Sequence, residues 1–350
     1  MIKLLAKMTR HLTRRRPASK NAQMLNHQTE TLSPTPGLGA VTETSSRCTQ
    51  LALVAGWFSY KGACATFGDT EAMHVVTRWL DEVNIPYHIA CHKVNGTDGL
   101  DINTLDPTPY SMFIFVCGPW RDDSRKILEK FEHCYKIGID LSLEDPVHLQ
   151  HGFDIILARD MPQQHNPDLA FASHVPTLPL IGIAQVHPQV MYGNRQRHKQ
   201  VAKAISEYLS RGEVAYVTLD TLHRDNPVKI GNVVHYENLV ARLDAVITTR
   251  LHGLVFAIKR GIPAVAIDAI AGGAKVSAQA NSINWPQVHK GDTVDADQIS
   301  AAVEKCLDGS LDDTVTRSRE NALKKLQQVK SDFLRILSER KFAKQPPDHA

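Results

Sequence analysis

The chain has 350 residues, of which 43% are hydrophobic and 22% charged, and a formal net charge of +3. That is room for two ordinary domains with buried cores, and it excludes a disordered chain. No apolar run approaches the roughly 18 residues of a bilayer-crossing helix, which argues against a membrane-spanning protein. Residues 1–50 hold eight Lys/Arg against two Glu, so the remaining chain is slightly acidic and its body is not a basic nucleic-acid binder.

Residues 1–48 mix Arg, Ser, Thr, Pro, Asn and Gln without sustained periodicity and predict a disordered basic tail. Its opening MIKLLAKMTRHLTRRR has some amphipathic character, so peripheral contact with anionic lipid is the most membrane involvement expected; a transit peptide or a nucleic-acid arm are the other readings. No apolar segment of signal-peptide type follows the basic start, and the six cysteines form no CxxC pair. A reduced, cytoplasmic chain without a zinc site is the expectation.

From Leu51, short apolar runs alternate with helical patterns: LALVAG (51–56), PYHIAC (86–91), SMFIFVCG (111–118), KIGIDLSL (136–143) and FDIILARD (153–160). Between the first two, Ala72, Val75, Val76, Trp79, Leu80 and Val83 share one helical face, with Asp69 and Thr70 expected at the N-cap. The pattern restarts after SHVPTLP (173–179), with runs at 180–186, 213–219, 244–249 and 263–268 and helices over 196–212 and 251–261. Two further helices are expected at 295–309 and 315–341. Continuous apolar strands separated by helices mean buried parallel sheet.

The predicted fold class is therefore α/β, with two Rossmann-like domains facing a central cleft. The expected organisation is a tail at 1–48, an N-terminal domain at 49–176, a C-terminal domain at 177–310, and a closing helix and tail at 311–350.

The segment 244–276 carries the most chemistry. A strand ending at Thr248-Thr249 turns through Arg250-Leu251-His252-Gly253 into a helix, and in open parallel sheets ligands sit at that junction. A helix start offers N–H groups to phosphate or carboxylate, Arg250 adds a planar cation, and His252 suits proton transfer near neutral pH. The next strand opens into Gly272, Gly273 and Lys275, within reach of the same ligand. His187, Tyr192, Arg195, Arg197 and His198 follow the strand 180–186, again a ligand-facing place. His148 and His151, spaced i, i+3, have no carboxylate to complete a metal site.

The run TTRLHGLVFAIKRGIPAVAID (248–268) resembles the signature of the polysaccharide pyruvyl transferase family. GACATFGDTEAM (62–73) looks like that family's N-terminal glycine loop ending in Gly68-Asp69, and ARD (158–160) with PDLAF (167–171) resembles its paired Arg-Asp and Pro-Asp elements. The loop departs from the family's Asn-rich form, and no Ser follows Arg159-Asp160. The resemblance implies a fold similar to the two-domain glycosyltransferase-B architecture. It also implies transfer of a pyruvyl group from phosphoenolpyruvate to two hydroxyls of a saccharide or lipid-linked saccharide, with no cofactor. By carry-over Arg250, Leu251 and His252 meet the donor, His252 as acid and Arg250 as charge stabiliser, with Gly272, Gly273 and Lys275 nearby. Gly68, Asp69 and Arg195 are the acceptor-side candidates. A nucleotide-sugar glycosyltransferase and a non-catalytic sugar- or anion-binding relative are the competing readings.

Overall fold

In the computed structural model, residues 50–62, 65–95, 99–120, 125–143, 152–161, 164–222 and 226–339 are described. The tail expected at 1–48, the pair His148 and His151, and residues 340–350 lie outside them. The described residues fall into two compact units, with the boundary in the chain between Pro176 and Thr177.

The first unit contains β1 (Ala52–Gly56), α1 (Phe67–Glu82), β2 (Tyr87–Ile89), β3 (Met112–Trp120), α2 (Arg125–Lys130), β4 (Tyr135–Leu143), β5 (Ile155–Met161) and β6 (Gln164–His165). Its sheet runs β2-β1-β3-β4-β5-β6, parallel except for the antiparallel dipeptide β6. Successive strand residues point to opposite faces. Leu53, Ala55, Phe113 and Phe115 accordingly pack into one core layer, while Ala52, Val54, Ile114 and Val116 pack into the other with Ala72, Met73, Val76 and Leu80 of α1.

Two details of the predicted helix are corrected. It begins earlier, at Phe67, with Thr66 as N-cap and Asp69 at the third helical position, because these two form a reciprocal capping box. Trp79 is 39% exposed and Val83 lies past the helix end at 61%. The buried face is completed by Met73 and Thr77 instead.

The second unit contains β7 (Leu180–Ala184), α3 (His198–Leu209), β8 (Ala215–Thr218), α4 (Val233–Val240), β9 (Ala245–Thr248), α5 (Leu251–Lys259), β10 (Ala264–Asp268), α6 (Lys275–Ser282), β11 (Val288–Lys290), α7 (Ala296–Leu307) and α8 (Asp312–Glu339). All five strands are parallel in the order β11-β10-β9-β7-β8. Both units thus share the doubly wound order in which the third strand lies on the other side of the first from the second. β8 differs from the buried strand expected there. It is the sheet edge, and all four of its residues are exposed. No helix among the described residues is long and apolar enough to cross a membrane.

Candidate functional site

In the second unit the strand order reverses between β7 and β9, so the crevice outside their carboxyl ends is where this topology admits a ligand. β9 ends at Thr248, which is fully buried. Its hydroxyl lies 3.0 Å from the carbonyl of Ala184 and 3.1 Å from that of Arg250, and it accepts from the Arg250 N–H at 2.9 Å. Thr249 accepts the Val186 N–H at 2.7 Å, tying the ends of β7 and β9 together.

The helix α5 then starts against the sheet. A Cβ on Gly253 would overlap the Thr248 hydroxyl and stand 3.0 Å from the Thr248 Cβ and 3.3 Å from the Ala184 Cβ. The glycine of the Arg-Leu-His-Gly run is therefore a packing requirement. Its absent side chain lets α5 sit directly on the strand ends and presents the first turn to the crevice.

Arg250 is the N-cap of α5, and no side chain caps that helix end. The guanidinium is nearly buried. Its Nε donates to the Gln185 carbonyl at 2.7 Å, and one terminal nitrogen contacts Asp220 at 3.0 Å, with side chains only 10% and 4% exposed. The fork expected to meet an anion is thus partly engaged, and among the described residues no partner occupies its other terminal nitrogen, Nη1. Asp220 also meets His187, whose Nε2 lies 3.2 Å from its Oδ2 and whose side chain is 64% exposed. Sequence analysis did not single out Asp220. The signal was present, since an Asp directly follows an apolar strand in EVAYVTLD, but nothing marked it as the partner of an Arg 30 residues away.

Arg250, Leu251, His252 and Lys275 line one cavity of about 180 Å³ together with Thr249, Tyr192, His198 and Asp268. The structure therefore brings together four of the donor-side candidates. His252 is exposed, with its ring 6.3 Å from that of Phe256. Burial lowers the pKa of His198, with the Ala269 backbone acting against it, so it is a neutral imidazole near pH 7.

Of the candidates after β10, Lys275 lines this cavity and Gly272 and Gly273 do not. Asp268, 2% exposed, accepts the N–H groups of Ala274 at 2.7 Å and Ser277 at 2.9 Å, so its own carboxylate occupies the start of α6. Gly272 and Gly273 adopt φ of +77° and +81°, a left-handed turn that admits glycine without strain. Arg195, expected on the acceptor side, is exposed and donates to the carbonyls of Ala271 and Gly273, each at 2.9 Å. It braces the loop beside the Arg250 crevice.

The other acceptor-side candidates, Gly68 and Asp69, belong to the first unit. Asp69 accepts the Thr66 N–H at 2.6 Å, so its carboxylate is engaged in capping α1. Nearby, Asp140 sits at a bulge of β4 with φ +59°, 3% exposed, and its Oδ1 has no partner. Burial and the charge of Asp168 push its carboxyl up to about 6. Arg159 bonds Asp160 and, at 2.7 Å, Asp168, knitting the end of β5 to the following turn. No group of three or more metal-ligating side chains is found among the described residues.

No curated protein matches this sequence. Among solved structures, the chain is similar to the calicheamicin glycosyltransferase at 12% identity and TM-score 0.31, covering 79% of this chain and 94% of that one. It is similar to the kitacinnamycin glycotransferase at 10% identity and TM-score 0.30, covering 78% and 94%. The UDP-GlcNAc 2-epimerase of Methanocaldococcus jannaschii follows at 10% identity and TM-score 0.27, covering 74% and 92%. Over residues 164–269, which hold Asp220, Arg250, Leu251 and His252, the chain matches the sequence profile of the polysaccharide pyruvyl transferase family.

Proposed function

We propose that the chain transfers a pyruvyl group from phosphoenolpyruvate to a saccharide, closing a ketal on two hydroxyls and releasing phosphate. The observation that carries this reading is the convergence of Arg250, Leu251 and His252 on one small crevice inside the family-matched segment. The donor is compact and highly charged. An uncapped helix start, the Nη1 edge of Arg250 and the exposed ammonium of Lys275 supply the positive potential it needs. His252 donates the proton that converts the donor methylene into a methyl group and makes C2 electrophilic. Sugar oxygens then replace the phosphate oxygen at C2. This chemistry requires no cofactor, and a free or lipid-linked saccharide is the acceptor. A nearly neutral Arg250–Asp220 pair attracts an anion less than a lone arginine would, so the helix start and Lys275 carry more of the donor's charge than the sequence alone implied.

The test is incubation of the purified chain with phosphoenolpyruvate and a panel of p-nitrophenyl hexosides, with products read by mass spectrometry. A hexoside that gains the mass of a pyruvate ketal, and fails to do so with His252→Ala, supports the reading. Equal product from that variant would remove His252 as the acid. Products from nucleotide sugars but never from phosphoenolpyruvate would replace the assignment with glycosyl transfer.

A further inference from the structure

Ketal formation at C2 needs two proton acceptors as well as one donor, because each incoming hydroxyl must lose its proton. Beside the crevice, next to its lining residues Val186 and Thr221, stands a group arranged for this that the donor contacts leave unused. His187 follows β7 and Asp220 follows β8, and these strands are neighbours in register, with Ile183 opposite Thr218. Asp220 is almost wholly buried, whereas the His187 side chain is 64% exposed, so the imidazole projects toward solvent with Nε2 held by the carboxylate at 3.2 Å. In neutral histidine that contact fixes the proton on Nε2 and leaves the Nδ1 lone pair for an outside partner. Arg250 holds the same carboxylate at 3.0 Å, so the crevice that takes the donor also sets the base.

We propose that His187 is the general base for the first acceptor hydroxyl, with Asp220 as its positioning residue; this rests on the pyruvyl-transfer reading above. The acceptor oxygen forms its bond to C2 as its proton passes to His187 Nδ1, and Asp220 stabilises the imidazolium that results. The C2–O bond to phosphate then breaks, its electron pair leaving with the phosphate oxygen, and His187 returns the proton to that phosphate. His252, having given its proton to the methylene carbon, takes the proton of the second hydroxyl as the ring closes. Protons balance: one acceptor hydrogen replaces that spent on the methyl group, and the other leaves on phosphate. Both histidines end as they began.

The test uses the full chain, phosphate release from phosphoenolpyruvate with the hexoside panel, and donor binding by calorimetry. His187→Ala changes an exposed side chain and leaves the core intact. It is expected to lower kcat by about 10²- to 10⁴-fold, to leave donor affinity within twofold, and to recover turnover with added imidazole. Imidazole nitrogen spectra should show the Nε2–H tautomer of His187 in the wild type and its loss in Asp220→Asn. Undiminished kcat in His187→Ala would overturn the base role while the pyruvyl reading stands. A Nδ1–H tautomer in the wild type would overturn the positioning by Asp220. A wild-type chain that transfers to none of the hexosides would overturn both the reading and the base role resting on it.

Discussion

Replacing Gly253 by alanine sets two principles against each other, and the geometry decides the sign. In an exposed helix, Gly→Ala stabilises by about 1 kcal/mol. Here the new methyl would overlap the hydroxyl of Thr248, which is fully buried and held by the Ala184 and Arg250 backbone. Overpacking of this kind costs about 2 kcal/mol, and rotating the hydroxyl away gives up about two hydrogen bonds at about 1 kcal/mol each. Against a gain of about 1 kcal/mol, the net loss is about 3 kcal/mol. Hydrogen exchange of the peptide spanning β9 and α5 reads this locally, and a loss of that size lowers protection by about two orders of magnitude. The cost should shrink when Thr248→Ala is already present, since the overlapping oxygen is gone. Raised protection in Gly253→Ala, or an equal cost in both backgrounds, would refute the account of why this turn carries a glycine.

Two further predictions concern the first unit. Thr66→Ala removes the hydroxyl half of the capping box and leaves the backbone N–H of residue 66 on the Asp69 carboxylate, so it should destabilise the start of α1 by about 1 kcal/mol, seen as faster exchange of the first-turn amides; unchanged exchange would mean the Thr66 hydroxyl adds nothing. Asp140→Asn tests the raised carboxyl. Because folding pushes its pKa up to about 6, the folded chain holds a proton there that the unfolded chain has released, so its contribution weakens as pH rises from about 4 through 6. Arg159, Asp160 and Asp168 are the other charges acting on it, and Asn suits φ +59° as well as Asp does. The variant should match the wild type in thermal midpoint near pH 4 and exceed it at pH 7.5. A variant less stable at pH 7.5 would show that ionised Asp140 is stabilised by groups that the geometry does not reveal.

The alternation of apolar runs and helical faces revealed the α/β class and both parallel sheets, because strand burial on two faces leaves an unbroken apolar signature at 51–56 and 245–247. It misled at β8, where the same apolar run lies at a sheet edge; composition cannot distinguish a central strand from an exposed one. The Arg250–His252 turn was legible because a strand end, a cation and a helix start coincide within a few residues. Asp220 was not, since its partnership with Arg250 and His187 is made by strand order rather than by sequence spacing. Asp268 shows the converse. Sequence placed Gly272, Gly273 and Lys275 within reach of the ligand, but gave no sign that a buried carboxylate from the preceding strand fills the helix start they lead into.

Calorimetric titration of the full chain with phosphoenolpyruvate, beside Arg250→Ala and a set of nucleotide sugars, tests the central assignment most directly. The account predicts saturable binding of phosphoenolpyruvate that is weaker in the variant and that nucleotide sugars do not reproduce. Equal binding by wild type and variant would place the donor elsewhere, and nucleotide-sugar binding without phosphoenolpyruvate binding would contradict the pyruvyl assignment.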